Sequence, residues 1–101
     1  MFDDRRDASE KQFAHEAALA FRNAARRNQL ASAWAADTLG LNLEQATQFN
    51  QDLTAVLTEF DPAKAREETL RRLESLFDGR ATREDIERQL GLFEEQASLL
   101  E

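Results

Sequence analysis

Apolar residues recur along this chain at the three- and four-residue intervals of an α-helical face, and the recurrence is broken at three places. Before the first break, at Gly40, a single helix is predicted to run through Phe13, Phe21 and Trp34 to Leu39. Gly40 is the residue that most easily takes the left-handed conformation after a helix, and Leu41 can fold back on the last turn. Asn42 then caps a second helix, with Gln45 three residues on as the reciprocal partner of a capping box. That helix runs to about Phe60, with Ala46, Phe49, Leu53, Val56, Leu57 and Phe60 on one side.

The second break is Asp61-Pro62. Aspartate accepts from the free amides of a new helix, and proline fits a first-turn position that needs no donor. The third helix is predicted to bury Ala63, Leu70, Leu73 and Phe77 and to stop near Asp78-Gly79. Thr82 caps the fourth, Glu84 and Asp85 suit the positive end of its dipole, and Ile86, Leu90, Phe93, Ala97 and Leu100 form its stripe. Gly91 falls off that stripe, with no reason visible in the sequence. Connections this short make sequential helices nearly antiparallel, so the predicted fold is all-α, a compact four-helix bundle over residues 19–101. Trp34, among Ala31, Ala33, Ala35 and Ala36, reads as a core anchor whose small neighbours let another helix approach.

Residues 1–18 read differently. As a helix they would align Phe2, Arg6, Ser9, Phe13 and Ala17, of which only the two phenylalanines are large and apolar. Such a stripe buries too little surface to offset ordering at about 1–2 kcal/mol per residue. The segment is therefore expected to be a mobile, partly disordered N-terminal arm, with residues 1 to about 12 ordering only on a partner.

Composition narrows the function. Ala, Leu, Glu, Arg and Gln dominate a chain of 101 residues that is 42% hydrophobic and 33% charged, as expected of one soluble helical domain. The net charge of −7 is uneven: residues 1–30 hold six bases against five acids, so the acidity lies in the remainder. An acidic body argues against nucleic-acid binding. No run approaches the ~18 apolar residues of a membrane span, and the charged N-terminus lacks the apolar core of a signal peptide. The absence of cysteine excludes a disulfide framework and fits a cytoplasmic protein.

Candidate chemistry is sparse. His15 beside Glu16 is the one histidine, and one imidazole without cysteine makes a poor zinc site. No nucleophile, base and acid set and no glycine-rich phosphate loop is present, so neither an enzyme nor a cofactor is expected. Arg22, Arg26 and Arg27 fall within two turns, with Arg22 and Arg26 on one face. Guanidinium groups so placed suit carboxylates or phosphates of a partner as a secondary contact, and equally suit salt bridges to the acidic helices. Nothing in their spacing requires a nucleotide.

With these residues placed, the chain resembles the ζ-subunit family of alphaproteobacterial F-type ATP synthases, the inhibitors of that motor. The resemblance rests on Phe2-Asp3-Asp4-Arg5, Phe13-Ala14-His15-Glu16, Ala25-Arg26-Arg27-Asn28-Gln29, Trp34-Ala35-Ala36 and Leu39-Gly40, collinear through the first helix. Gln12, Glu16 and Gln29 stand where members commonly have Lys, Asp and Lys. It implies a four-helix bundle whose arm becomes helical at a catalytic α/β interface beside the γ rotor and blocks ATP hydrolysis. The partner would be the catalytic head, and the location cytoplasmic, at the inner membrane through the synthase. Carried over to this sequence, Phe2 and Phe13 would be apolar anchors and Asp3, Asp4, Arg5 and Arg6 would set register, with Ser9, His15 and Glu16 along the same arm. The alternative is a non-catalytic helical adaptor that binds its partner through the Arg22/Arg26/Arg27 face.

Overall fold

In the computed structural model the backbone is described from Phe2 to Leu99 and the side chains from Glu16 to Leu99. The described residues form four helices: α1 (Phe2–Leu39), α2 (Leu43–Glu59), α3 (Pro62–Phe77) and α4 (Arg83–Leu99). Each packs on its neighbour in sequence, α1 on α4 closes the ring, and α1 also touches α3 across the middle. This is the four-helix bundle expected from the periodicity, and no strand occurs among the described residues. No described helix is long and apolar enough to cross a membrane.

The helix ends form where the local chemistry places them. Gly40 takes a φ of +67° and the Leu41 amide donates to the Ala36 carbonyl at 2.9 Å, closing α1 with a Schellman turn. Asn42 and Gln45 exchange reciprocal bonds, the Gln45 amide donating to Asn42 Oδ1 at 2.8 Å and the Asn42 amide to Gln45 Oε1 at 3.1 Å. Asp61 Oδ1 accepts from the Lys64 amide, with Pro62 opening α3, and Thr82 Oγ1 accepts from the Asp85 amide at the start of α4. Asp78 ends α3 in the left-handed region at φ 47°.

The core is contributed unequally. Phe77, Leu53, Leu70, Leu73, Ile86, Leu90 and Val56 are fully buried, each worth about 1.5–3 kcal/mol on area grounds. All of them lie on α2, α3 and α4. What the described part of α1 buries is small or polar: Arg27, Asn28, Ala31, Ser32 and Ala35. The short side chains of that seam allow its backbone close to the other helices, which matches the reading of the alanines around Trp34. The Trp34 ring itself is half-buried at the core's edge, 4.9 Å between centroids from Phe77 and 6.0 Å, edge-on, from Phe93. Aromatic pairs in these geometries add about 0.5–1.5 kcal/mol beyond area.

One stripe position differs from the sequence reading: Ala63 is exposed, and the buried positions at the start of α3 are Ala65 and Thr69. Leu100 and the arm's side chains up to His15 lie outside the described residues.

Gly91 has open space where a Cβ would lie and an ordinary helical conformation, whereas Gly40 depends on its positive φ. Gly91→Ala is expected to raise stability by about 1 kcal/mol and Gly40→Ala to lower it by about 1 kcal/mol. Chemical denaturation of the two variants checks both signs.

Candidate functional site

The partner-binding residues read from the sequence, Phe2, Asp3, Asp4, Arg5, Arg6, Ser9, Phe13 and His15, are on the backbone of α1, and their side chains lie outside the described residues. From Glu16 the surface can be followed. Glu16, Ala17, Ala18 and Ala20 are exposed and Leu19 is half-buried. Phe21 is 50% exposed, a large ring left half in water on the helix that leads into the arm. The first buried residue of the described part of α1 is Arg27.

Below Phe21 a cleft of about 240 Å³ separates α1 from the turn between α2 and α3. Phe21, Ala20 and Ala24 line one wall, Leu57, Phe60 and Pro62 the other, and Arg27 and Glu94 its floor. The turn that forms its far wall is set by local chemistry: Phe60 leaves α2 in an extended conformation, and Asp61 then caps α3. The Asn23 side-chain oxygen beside it is buried without a hydrogen-bond donor.

The floor of the cleft is the edge of a polar network that reaches all four helices. Glu94 on α4 accepts from Arg27 Nη1 of α1 at 3.4 Å and from Arg66 Nη2 of α3 at 3.0 Å. Arg27 Nε donates to Asn28 Oδ1 at 3.0 Å. The Asn28 amide nitrogen in turn donates to the Leu53 carbonyl of α2 at 3.1 Å and to Thr69 Oγ1 of α3 at 3.3 Å. A carboxamide has both an acceptor and donors, so Asn28 can sit in the core, 1% exposed, with each end satisfied. Thr69 is buried for the same reason, and its polarity kept it out of an apolar stripe.

Burial tends to raise the Glu94 carboxyl, but the Arg66 hydrogen bond and the charges of Arg66 and Arg27 outweigh it and hold it below the usual carboxylate range. Burial lowers Arg27, partly countered by the Glu94 charge, while the Glu94 hydrogen bond raises Arg66. An arginine stays protonated in any case at physiological pH, so the network carries its charges throughout.

The three arginines of the sequence reading therefore have three fates. Arg27 is inside the bundle as a structural ion-pair partner. Arg22 is exposed. Arg26 is half-buried, its Nη1 enclosed without an acceptor among the described residues. The face they would share as a surface patch is thus reduced to Arg22 and part of Arg26. No group of acids and histidine among the described residues is arranged to hold a metal ion. Phe21 falls in helical phase with the buried Asn28, Ser32 and Ala35, so nothing in the sequence marked it as exposed or pointed to the cleft.

Compared with known proteins, the chain matches a family model described as ATPase inhibitor subunit zeta over residues 1–99. No curated protein and no solved structure matches it.

The Glu94 carboxyl has an ordinary value near 4.5 and a lower one in the fold, so its contribution to stability is present above that pH and disappears as the pH falls through the folded value. A melting series from pH 7 to pH 2 is expected to show a shallower acid decline for Glu94→Gln than for the native protein. Asn28→Ala should cost about 2–3 kcal/mol at neutral pH, because it strips buried groups on three helices of a partner.

Proposed function

Because the chain belongs to the ATPase inhibitor subunit zeta family, we propose that it restrains an F-type ATP synthase through the N-terminal arm of α1, inserted as a helix at a catalytic α/β interface beside the rotor. The inhibitory role and the association with an ATPase come with the family; the arm, the interface and the residues are the reading argued here. The observation that carries it is the length of α1 against the bundle. Its 38 residues make a rod of about 57 Å at 1.5 Å per residue, close to the 59 Å long axis of the molecule. The other helices have 16 or 17 residues and reach only about 25 Å. About half of α1 thus extends past its partners, and among its described residues none before Arg27 is buried.

An extension of this kind suits a blocking element. Phe2 and Phe13, eleven residues apart, fall on one side of a helix and supply two apolar anchors. Asp3, Asp4, Arg5 and Arg6 offer charge pairs of both signs, which fix register more than they add affinity. Ser9, His15 and Glu16 continue the contact toward the bundle. The arm, residues 1–18, orders fully on its partner, and the bundle, residues 19–101, stays outside as the body that limits how far it enters. The protein acts without catalysis or cofactor, by obstruction. The adaptor reading through Arg22, Arg26 and Arg27 is less well supported, because the Arg27 guanidinium is engaged by Glu94 inside the fold.

ATP hydrolysis by the cognate synthase tests this. Removal of residues 1–15 is expected to weaken inhibition by roughly 30-fold or more, since one lost apolar anchor alone is worth about 2 kcal/mol. A double Arg22→Glu, Arg26→Glu variant should inhibit nearly as well as the native protein. Equal inhibition by the truncated and full-length proteins would remove the arm from the mechanism.

A further inference from the structure

We propose that the Arg27–Glu94 pair is the positioning device of the arm: it fixes the direction in which α1 leaves the bundle. The inference rests on the arm reading above and adds to it the residues that aim the arm.

Three observations place the pivot at Arg27. Toward the N-terminus of it, the described part of α1 has no buried residue, and toward the C-terminus the seam of Asn28, Ala31, Ser32 and Ala35 is locked into the core. On the side facing the α2–α3 turn, the helix above Arg27 borders the cleft of about 240 Å³, so packing there leaves room for α1 to lean. Among the described residues, the polar ties between α1 and another helix near this level are the Arg27 Nη1 contact with Glu94 and the Asn28 bonds to Leu53 and Thr69. The Asn28 bonds lie on the core side and hold the helix in depth. The Glu94 contact lies at the cleft's floor and holds it against tilting.

Leverage makes a loose contact matter. Once the arm is helical on its partner, some 25 residues separate Arg27 from Phe2, about 37 Å of helix, so a tilt of about 10° at Arg27 displaces the tip by roughly 6 Å. That is more than a full helical turn's rise, enough to put an apolar anchor outside its pocket. Arg66 holds the other side of the same carboxylate at 3.0 Å from α3. It ties Glu94 to α3 through the other carboxylate oxygen and does not itself reach α1. A root of α1 that is directed before the arm meets its partner leaves less to be ordered on binding than one free to swing.

The two ties on Glu94 can be separated. Glu94→Gln weakens both; Arg66→Gln removes the tie to α3 and leaves the one to α1. The chain has no cysteine, so spin labels can be placed at Ala17→Cys, on the exposed root of α1, and Glu87→Cys, on the exposed side of α4, and their distance distribution measured. Melting temperature and helical circular dichroism are recorded for each variant, and inhibition of the cognate synthase is titrated with the unlabelled full-length proteins. Glu94→Gln is expected to broaden the distance distribution and raise the half-inhibitory concentration about 3- to 10-fold, as loss of pre-organisation does. Arg66→Gln should lower the melting temperature comparably and leave both other readings near native. The proposal is overturned if Glu94→Gln leaves either the distribution or the inhibition unchanged, or if Arg66→Gln alters both as much. If the protein lacking residues 1–15 inhibits as well as the full chain, the arm reading fails instead, whatever Glu94→Gln does to the distances.

Discussion

The polar chain from the half-exposed Arg66 and Glu94 through the buried Arg27 and Asn28 to Thr69 and the Leu53 carbonyl is the constraint around which the bundle is arranged. An apolar core of leucine and phenylalanine tolerates small rotations of its helices, because dispersion and area burial have little direction. Hydrogen bonds do not. A buried carboxamide that must meet a carbonyl on α2 and a hydroxyl on α3 fixes the rotation of α1 and its depth at once. Misplacing any member would strand a polar group in a low-dielectric interior, at about 1–3 kcal/mol each. The net stabilisation from such a network can be modest, but its discrimination among alternative packings is large.

This constraint explains why α1 is built as it is. A helix that carried large apolar residues along its whole length would need cover along its whole length. Here the buried seam is short, made of Arg27, Asn28, Ala31, Ser32 and Ala35, and the aromatic bulk comes from Phe49, Phe77 and Phe93 on the other helices. Small side chains bring the α1 backbone near enough for the polar bonds to form, and Trp34 closes the far side against Phe77 and Phe93. Above Arg27 the same helix changes character to exposed alanines and a half-exposed Phe21. One continuous element therefore serves as scaffold at one end and as an extension at the other.

For a member of an inhibitory subunit family, that division has a mechanical sense. Obstruction requires an element that reaches, and a body that does not follow it. The bundle is rigid where caps, core and network coincide, and it is acidic on its outer helices, where many charges are answered by local pairs such as Arg72 with Glu68 and Arg83 with Glu67. Exposed pairs of this sort contribute little to stability, so the fold rests on the core and the central network. The cleft under Phe21, walled on its other side by Phe60 and Pro62, lies where the extension begins.

The sequence by itself determined the number, order and ends of the helices. Asn42 with Gln45, Asp61 with Pro62, Gly40 and Thr82 act within a few residues of themselves, so their effect can be read without knowing what packs on what. The apolar stripes of α2 and α4 were legible for a similar reason: burial of a whole face leaves a period. It could also be read that residues 1–18 lack the apolar surface to make a core of their own. Tertiary structure alone decided which polar residues go inside. Asn28 and Thr69 interrupt no visible pattern, and each is buried only because the other stands opposite, forty-one positions away. Arg27 and Arg22 are the same residue type, yet one is enclosed because Glu94 awaits it and the other stays in water. Ala63 and Ala65 are equally apolar, and only the position of the first turn of α3 relative to the bundle decides that Ala65 is covered. Local interactions write themselves into neighbouring residues, whereas a bond between distant residues exists only after the helices that carry them have met.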